Sequence, residues 1–297
     1  MRRLSAYLCH VGFLAAIAAL ALKALLPGPR GDVTLSRGEC AELAGETFVL
    51  KDFRVEKYPS GKPSQFVSEI HFVPKVEHVS ISVNHPLRRN GFWLYQTSYD
   101  AEHEKFTVLT AYEDPWLPLA FLAGVCLLLG TGIFAVLYAA EPRSADADGR
   151  RVPLALRIVA ALALTALPIF VIGRALMRPE PMPALQSPFL LPHVGAYLVS
   201  YVILFFAAFG MFKRWIGAAF FLMTLGLVLG AAWGKVCWTD WWQYDPKEMW
   251  SLATWLAFAL HLHFRKRWIL WAGAALIVLT LTWVNVSRLF AGMHSYA

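Results

Sequence analysis

Cysteine is scarce and scattered. The 297 residues hold four, Cys9, Cys40, Cys126 and Cys237, with no CxxC and no close pair, so they build neither a zinc site nor a thioredoxin-like dithiol. Internal repeats and low-complexity stretches are absent. The formal charge is +7, yet Lys and Arg fall in short clusters between apolar runs rather than along one face. That pattern belongs to membrane topology signals and implies no nucleic-acid partner. What the sequence has in abundance is apolar surface: 58% of residues are hydrophobic and the mean hydropathy is +0.50. A soluble domain does not carry that composition; a bundle of lipid-facing helices requires it.

Runs long enough to cross the roughly 30 Å hydrocarbon layer occur near residues 5–26, 115–139, 153–177, 189–212, 215–236, 249–264 and 268–290, predicting about seven spans. The first follows Met1-Arg2-Arg3 like a signal peptide, but it carries His10 and Lys23 and exits through Leu26-Pro27-Gly28-Pro29-Arg30 without a small-x-small site. A retained anchor fits better than a cleaved leader. The sixth run is short, and Trp250 and Trp255 are expected to anchor it at the outer interface. Arg2-Arg3, Arg143 with Arg150-Arg151, Lys213-Arg214 and Arg265-Lys266-Arg267 fall in alternate loops. Those loops are therefore expected on the cytoplasmic side, with Arg174 and Arg178 against the trend. The expected location is a bacterial inner membrane, with the functional face periplasmic.

Residues 28–114 have a different character. Thr47-Phe-Val-Leu-Lys-Asp-Phe-Arg-Val-Glu56 and Val79-Ser-Ile-Ser-Val83 alternate polar and apolar residues, and Pro59-Ser-Gly-Lys-Pro63 and Arg89-Asn-Gly91 supply turns. A small extracytoplasmic β domain of sandwich or open-barrel type is predicted there. The fold class is thus mainly α, a polytopic membrane bundle with one small β domain. Its divisions are a first helix over 1–27, the β domain over 28–114, a helix over 115–140, a cytoplasmic linker over 141–152 and a membrane domain over 153–297.

Nine histidines thread onto this topology. His71, His78, His85 and His103 lie in the β domain, where a solvated or turn histidine is the default. The other five lie in or beside membrane helices, where an ionisable group is a functional hypothesis by default. His10, with His261 and His263, falls toward the cytoplasmic side, and His193 and His294 fall toward the outer side. Two pairs at two depths suggest bis-imidazole ligation of haem iron. The alternative is that these are interfacial histidines that snorkel.

Between the fifth and sixth runs the chain reads Trp233-Gly-Lys-Val-Cys-Trp238-Thr-Asp-Trp241-Trp242-Gln-Tyr244-Asp245-Pro-Lys-Glu248-Met-Trp250, five indoles and a phenol in eighteen residues. A headgroup belt accounts for one or two of these. Rigid flat rings in that number make a platform for a large planar ligand at low entropic cost. The whole segment 233–250 is therefore a candidate haem surface, with Asp245 and Glu248 expected to shape the turn and cap the next helix.

The stretch WTDWWQYDPKEMWSLATWLAFALHLHFR resembles the WWD signature of the haem-handling superfamily. Gly292-Met293-His294-Ser295-Tyr296 resembles the ending of its CcsA (ResC) branch, and His193 with Tyr197 and Tyr201 that branch's outer histidine helix. The first third is similar to the C-terminal part of CcsB (ResB), through His10-Val-Gly12, Val33-Thr-Leu-Ser-Arg-Gly-Glu39, Asp52-Phe-Arg-Val-Glu56, Val83-Asn-His-Pro-Leu87 and Tyr95-Gln-Thr-Ser-Tyr99. Together they look like a compact fusion of both halves of a System II cytochrome c synthase. Thr239, Trp241 and Tyr244 depart from the usual glycine, tyrosine and tryptophan, and the early helices and large insertion of full CcsB are missing.

The resemblance implies that His10 and His263 form an intramembrane haem pair and His193 and His294 an outer axial pair. Trp233, Trp238, Trp241, Trp242, Tyr244, Asp245 and Trp250 then line the haem surface. It implies haem b as transported substrate and a lyase-type synthase that joins it to the CxxCH of an apocytochrome c. No side-chain nucleophile is called for, since proximity of haem and thiols does the work. Arg178, Lys235, Lys247 and Arg288 are candidates to pair the propionates. Implied partners are a thiol-reducing thioredoxin-like protein and a further CcsB-like chain. Two other functions stay open: a cytochrome b-like electron-transfer subunit with two bis-histidine haems, and a haem chaperone without ligation activity.

Overall fold

A computed structural model describes residues 1–74, 77–100, 103–141 and 153–286. The first helix, α1 (Arg2–Leu25), leads into eight strands: β1 (Arg30–Ser36), β2 (Cys40–Leu43), β3 (Glu46–Lys57), β4 (Pro63–Val73), β5 (Glu77–Ser82), β6 (Leu87–Arg89), β7 (Phe92–Tyr99) and β8 (Phe106–Tyr112). Six helices follow: α2 (Leu117–Ala139), α3 (Leu154–Leu176), α4 (Leu190–Ala208), α5 (Ile216–Trp238), α6 (Pro246–Phe264) and α7 (Arg267–Val286).

The strands form two antiparallel four-stranded sheets, ordered β1-β8-β7-β6 and β2-β3-β4-β5. Phe48, Leu50, Phe53, Ile70 and Ile81 of one sheet meet Leu35, Leu94 and Leu109 of the other in one buried cluster. That is a sandwich, and the open barrel is excluded. In β3 the inward residues run Phe48, Leu50, Phe53, a step of two and then of three. A register shift between Leu50 and Asp52 absorbs the extra residue, a β-bulge that returns Phe53 to the core. Asn90 and Gly91, both at positive φ, turn β6 into β7, as the Asn-Gly pair predicts.

Five of the seven helices, α1, α2, α3, α4 and the stretch Lys213–Trp238 around α5, are long and apolar enough to cross a membrane; part of α7, Arg267–Thr282, is apolar but shorter. The membrane bundle expected from composition is present; among the described residues five helices qualify as spans, against the expected count of about seven. The helix α6 carries Lys247, Glu248, His261 and His263 over 19 residues, which dilutes its apolar character. Trp255, expected at the lipid interface, is instead buried in the bundle. Its indole N–H donates to Thr224 Oγ1 at 2.9 Å, and its ring packs on Phe220 and Phe13. A buried indole needs such an acceptor, and α5 supplies it.

Small residues set the close crossing of α1 on α2. A side chain at Gly130 would meet the backbone nitrogen of Cys9 at 2.7 Å, and one at Gly12 would meet that of Leu127 at 2.8 Å. Ser5 Oγ donates to Gly130 O across the same contact. Apolar lipid gives helices no hydrophobic reason to associate, so close backbone approach and hydrogen bonds take over.

Candidate functional site: a histidine and tryptophan cavity

The tryptophan segment is less of a loop than its sequence suggests. Helix α5 runs on through Trp238, and α6 begins at Pro246, so Trp233, Trp238 and Trp250 sit on helix ends and only 239–245 connects them. Asp245 is the N-cap of α6. Its carboxylate accepts from the backbone of Lys247, and Glu248 reaches back to the backbone N–H of Asp245 and of Gln243. With Pro246 in the first turn, this is the capping box expected for Asp245 and Glu248.

Beside this segment lies a cavity of about 530 Å³, within the ~300–1,000 Å³ range of small-molecule sites. Its walls come from α3 to α7 and include His193, Tyr197, Trp233, Trp241, Trp242 and Lys247. Trp233, Trp241 and Trp242 are each less than one-tenth exposed. Trp238 packs against Trp233 at 4.9 Å between ring centroids, and Trp233 lies 5.9 Å from His193. Tyr197 and Tyr201 continue the ladder down α4. The indole N–H groups of Trp241 and Trp242 are buried without an acceptor among the described residues. Buried donors of this kind normally have partners, and a carboxylate entering the cavity would provide them.

His193 is held in one state by α5. Its Nδ1–H donates to Gly226 O at 2.8 Å, and because a carbonyl only accepts, this fixes the tautomer with Nε2 as the acceptor nitrogen. The ring lies where a Cβ at Gly230 would be, 2.7 Å from Cε1. Gly226 similarly seats the Tyr197 ring. Two glycines one turn apart thus open the α5 surface for two rings of α4. The second expected outer ligand, His294, lies outside the described residues, as does Arg288.

A second histidine pair sits at the end of the bundle remote from the sandwich. The rings of His10 and His263 are 5.6 Å apart and near perpendicular. Each donates Nδ1–H to a carbonyl one turn back in its own helix, Ala6 O at 2.7 Å and Ala259 O at 2.8 Å. Both Nε2 atoms are therefore acceptors. His261, two residues from His263, turns inward and donates to Lys266 O; it serves the α6–α7 turn.

Residues 1–110 match the ResB-like family and residues 209–294 the cytochrome c assembly protein family. The chain joins a ResB-like region to a cytochrome c assembly region. The cytochrome c biogenesis protein CcsA of Chlamydomonas reinhardtii is 31% identical over 170 residues, 46% of this chain and 48% of that protein. The CcsA proteins of Prochlorococcus marinus (strain MIT 9303) and Porphyra purpurea are 40% and 41% identical over 90 residues, 28% of each chain. The chain therefore spans about half or less of the curated relatives' length. With five helices long and apolar enough to cross a membrane, the chain is a multi-pass membrane protein similar over these stretches to proteins of cytochrome c biogenesis.

Of the residues the sequence singled out, the structure brings His193, Trp233, Trp241 and Trp242 to one cavity, with Trp238 behind them. Tyr244 stands apart: it is 46% exposed, and its hydroxyl donates to Leu20 O. Lys235 is turned away from the cavity, donating to Thr239 O over the ring of Tyr112, while Arg178 and Lys247 line it. The seats of His193 at Gly226 and Gly230 went unread in the sequence. Their signal is a Gly-xxx-Gly spacing on an apolar helix, which more often marks bare helix packing. A second cavity of about 910 Å³ lies between the sandwich and the segment, lined by Tyr99, Trp238, Asp240 and Trp242 among others. Trp242 belongs to both.

Proposed function

We propose that this chain presents haem b in the cavity beside Trp233–Trp242 and attaches it to the CxxCH motif of an apocytochrome c, as a holocytochrome c synthase. The observation that carries this reading is His193: an imidazole anchored through Nδ1–H on Gly226 O, at the wall of a cavity built from buried indoles. His193 is one iron ligand, and His294, outside the described residues, is the second. Trp233, Trp241 and Trp242 bound the macrocycle, and the propionates meet Arg178, Lys247 and the two unpartnered indole N–H groups. The cleft on the sandwich side, sharing Trp242, is the approach for the apocytochrome.

Each cysteine thiol adds across one vinyl group: S–C and C–H bonds form, the S–H bond and the vinyl π bond break, and no oxidant is consumed. The chain's part is to hold iron, ring and thiols together, which replaces a bimolecular encounter by a local one. His10 and His263 take haem on its way to the cavity. The setting is a bacterial inner membrane with the sandwich in the periplasm, where a thioredoxin-like protein keeps the CxxCH thiols reduced and a further CcsB-like chain completes the assembly.

The test is expression of this chain with a CxxCH-bearing apocytochrome in a host lacking its own maturation genes. Covalent haem, lost in His193→Ala and His294→Ala, is the expected result. If no covalent haem forms and those variants leave copurified haem unchanged, the synthase reading and the outer pair both fall. Two tightly held haems that titrate reversibly would instead favour an electron-transfer subunit, and displaceable haem without attachment a chaperone.

A further inference from the structure

The connection 239–245 that carries Trp241 and Trp242 is built on an unfavourable turn. Thr239, which ends α5, has φ +76°. A β-branched residue at positive φ is strained, and glycine is the residue that adopts such a conformation freely. Something must hold this turn, and two lysines from different helices converge on it. Lys235 donates Nζ–H to Thr239 O at 3.0 Å and is itself buried. Lys23, near the end of α1, forms an ion pair with the carboxylate of Asp240, the next residue. The Lys23 side chain is only 9% exposed. Its ammonium also lies 5.3 Å from the centre of the Trp241 ring and 5.8 Å from that of Tyr112 in the sandwich, within cation–π range.

The same stretch of α1 supplies the seat of the tryptophans. Ala19, fully buried, forms one cluster with Trp241 and Trp242, with Leu20 packed against it. Tyr244, the other strained residue of the connection at φ +58°, is tied to Leu20 O through its hydroxyl. Every tether from α1 thus falls on one helical turn, Ala19 to Lys23.

We propose that Lys23 is a positioning residue for the haem surface: its ion pair with Asp240, beside the Lys235 bond to Thr239, holds the strained turn so that Trp241 and Trp242 stay on the cavity wall. An ion pair removed from water is strong only when its geometry is fixed and costly when one partner is lost; loss of Lys23 leaves Asp240 uncompensated and the Thr239 strain unopposed. The haem part of this proposal rests on the function proposed above, while the turn-holding part does not.

The experiment uses the purified full-length chain in detergent. Hydrogen exchange is followed over 239–245 in haem-free protein, and the absorption spectrum is taken of protein carrying copurified haem. Lys23→Met is expected to speed exchange in 239–245 by about tenfold, as local opening does when its restraint goes, and to shift or abolish the haem spectrum. Lys23→Arg is expected to restore both. Adding Thr239→Gly to Lys23→Met is expected to slow exchange again, because glycine removes the strain that the ion pair opposes. Unchanged exchange in Lys23→Met, or no recovery with Thr239→Gly, overturns the proposal. Faster exchange with an unaltered haem spectrum overturns the positioning role. If the unaltered chain copurifies no haem, the function proposed above fails, and the exchange data alone decide whether Lys23 holds the turn.

Discussion

The imidazole of His193 is fixed by what α5 leaves out. Gly226 exposes its carbonyl, and Gly230 leaves room for the ring itself. Substituting Gly230→Ala puts a methyl 2.7 Å from Cε1 and must swing the ring off its acceptor. Losing an orienting partner of a metal-bound histidine typically costs ~10–100-fold in affinity, and a loss of that order in haem affinity is expected, measured by haem titration of the purified chain; an unchanged affinity would remove His193 from the ligand set. Asp245 works differently. Because it caps α6 rather than facing the cavity, Asp245→Ala is expected to cost about 0.5–2 kcal/mol of helix stability. It should lower the thermal midpoint followed by circular dichroism, and Asp245→Asn should recover most of it.

Among elements, the crossing of α1 on α2 is the most sharply constrained. Gly130→Val inserts a branched side chain where even a Cβ meets Cys9 N at 2.7 Å, and overpacking of this kind costs about 1–3 kcal/mol. The expected sign is a lower unfolding temperature together with faster protease cleavage between α1 and β1. Cleavage at the wild-type rate would mean the helices separate freely. The helices themselves were legible because length and hydropathy alone define a span, and the sandwich because alternation and the Asn90-Gly91 turn carry their own geometry. The capping box could be read from Asp245-Pro246-Lys247-Glu248 for the same local reason. Long-range placements could not. Nothing near Trp255 says that Thr224 waits for its N–H, and nothing near Lys235 says that it turns to Thr239 and Tyr112. Lys23 did carry a signal, an ionisable residue late in an apolar helix, but its partner is 217 positions away.

At the scale of the whole molecule, the sandwich rests on the segment between α3 and α4. Tyr58 donates to Pro181 O, Asn84 to Pro183 O and Gln186 to Ser64 O, while Ser60 and Lys62 both engage Glu180. Ala184, in the middle of that segment, accepts the indole N–H of Trp233, so the sandwich, the segment and the cavity wall form one chain of contacts. Glu180 is its titratable link. The Ser60 hydroxyl and the Lys62 ammonium hold its carboxyl below the ordinary value of 4.5. A carboxylate so depressed contributes to docking fully above its unfolded pKa, and the contribution fades as pH falls through the folded value. Docking is therefore expected to be insensitive to pH between neutrality and about 5 and to loosen below the ordinary carboxylate range. Hydrogen exchange at 58–63 reads it directly: the wild-type hairpin should exchange faster in acid than the intrinsic pH dependence of amides allows. Glu180→Gln should show the looser rate already at neutral pH, with little further change on acidification. A Glu180→Gln hairpin as protected as wild type at pH 7 would show that the neutral hydrogen bonds of Tyr58, Asn84 and Gln186 hold the sandwich on this segment without it.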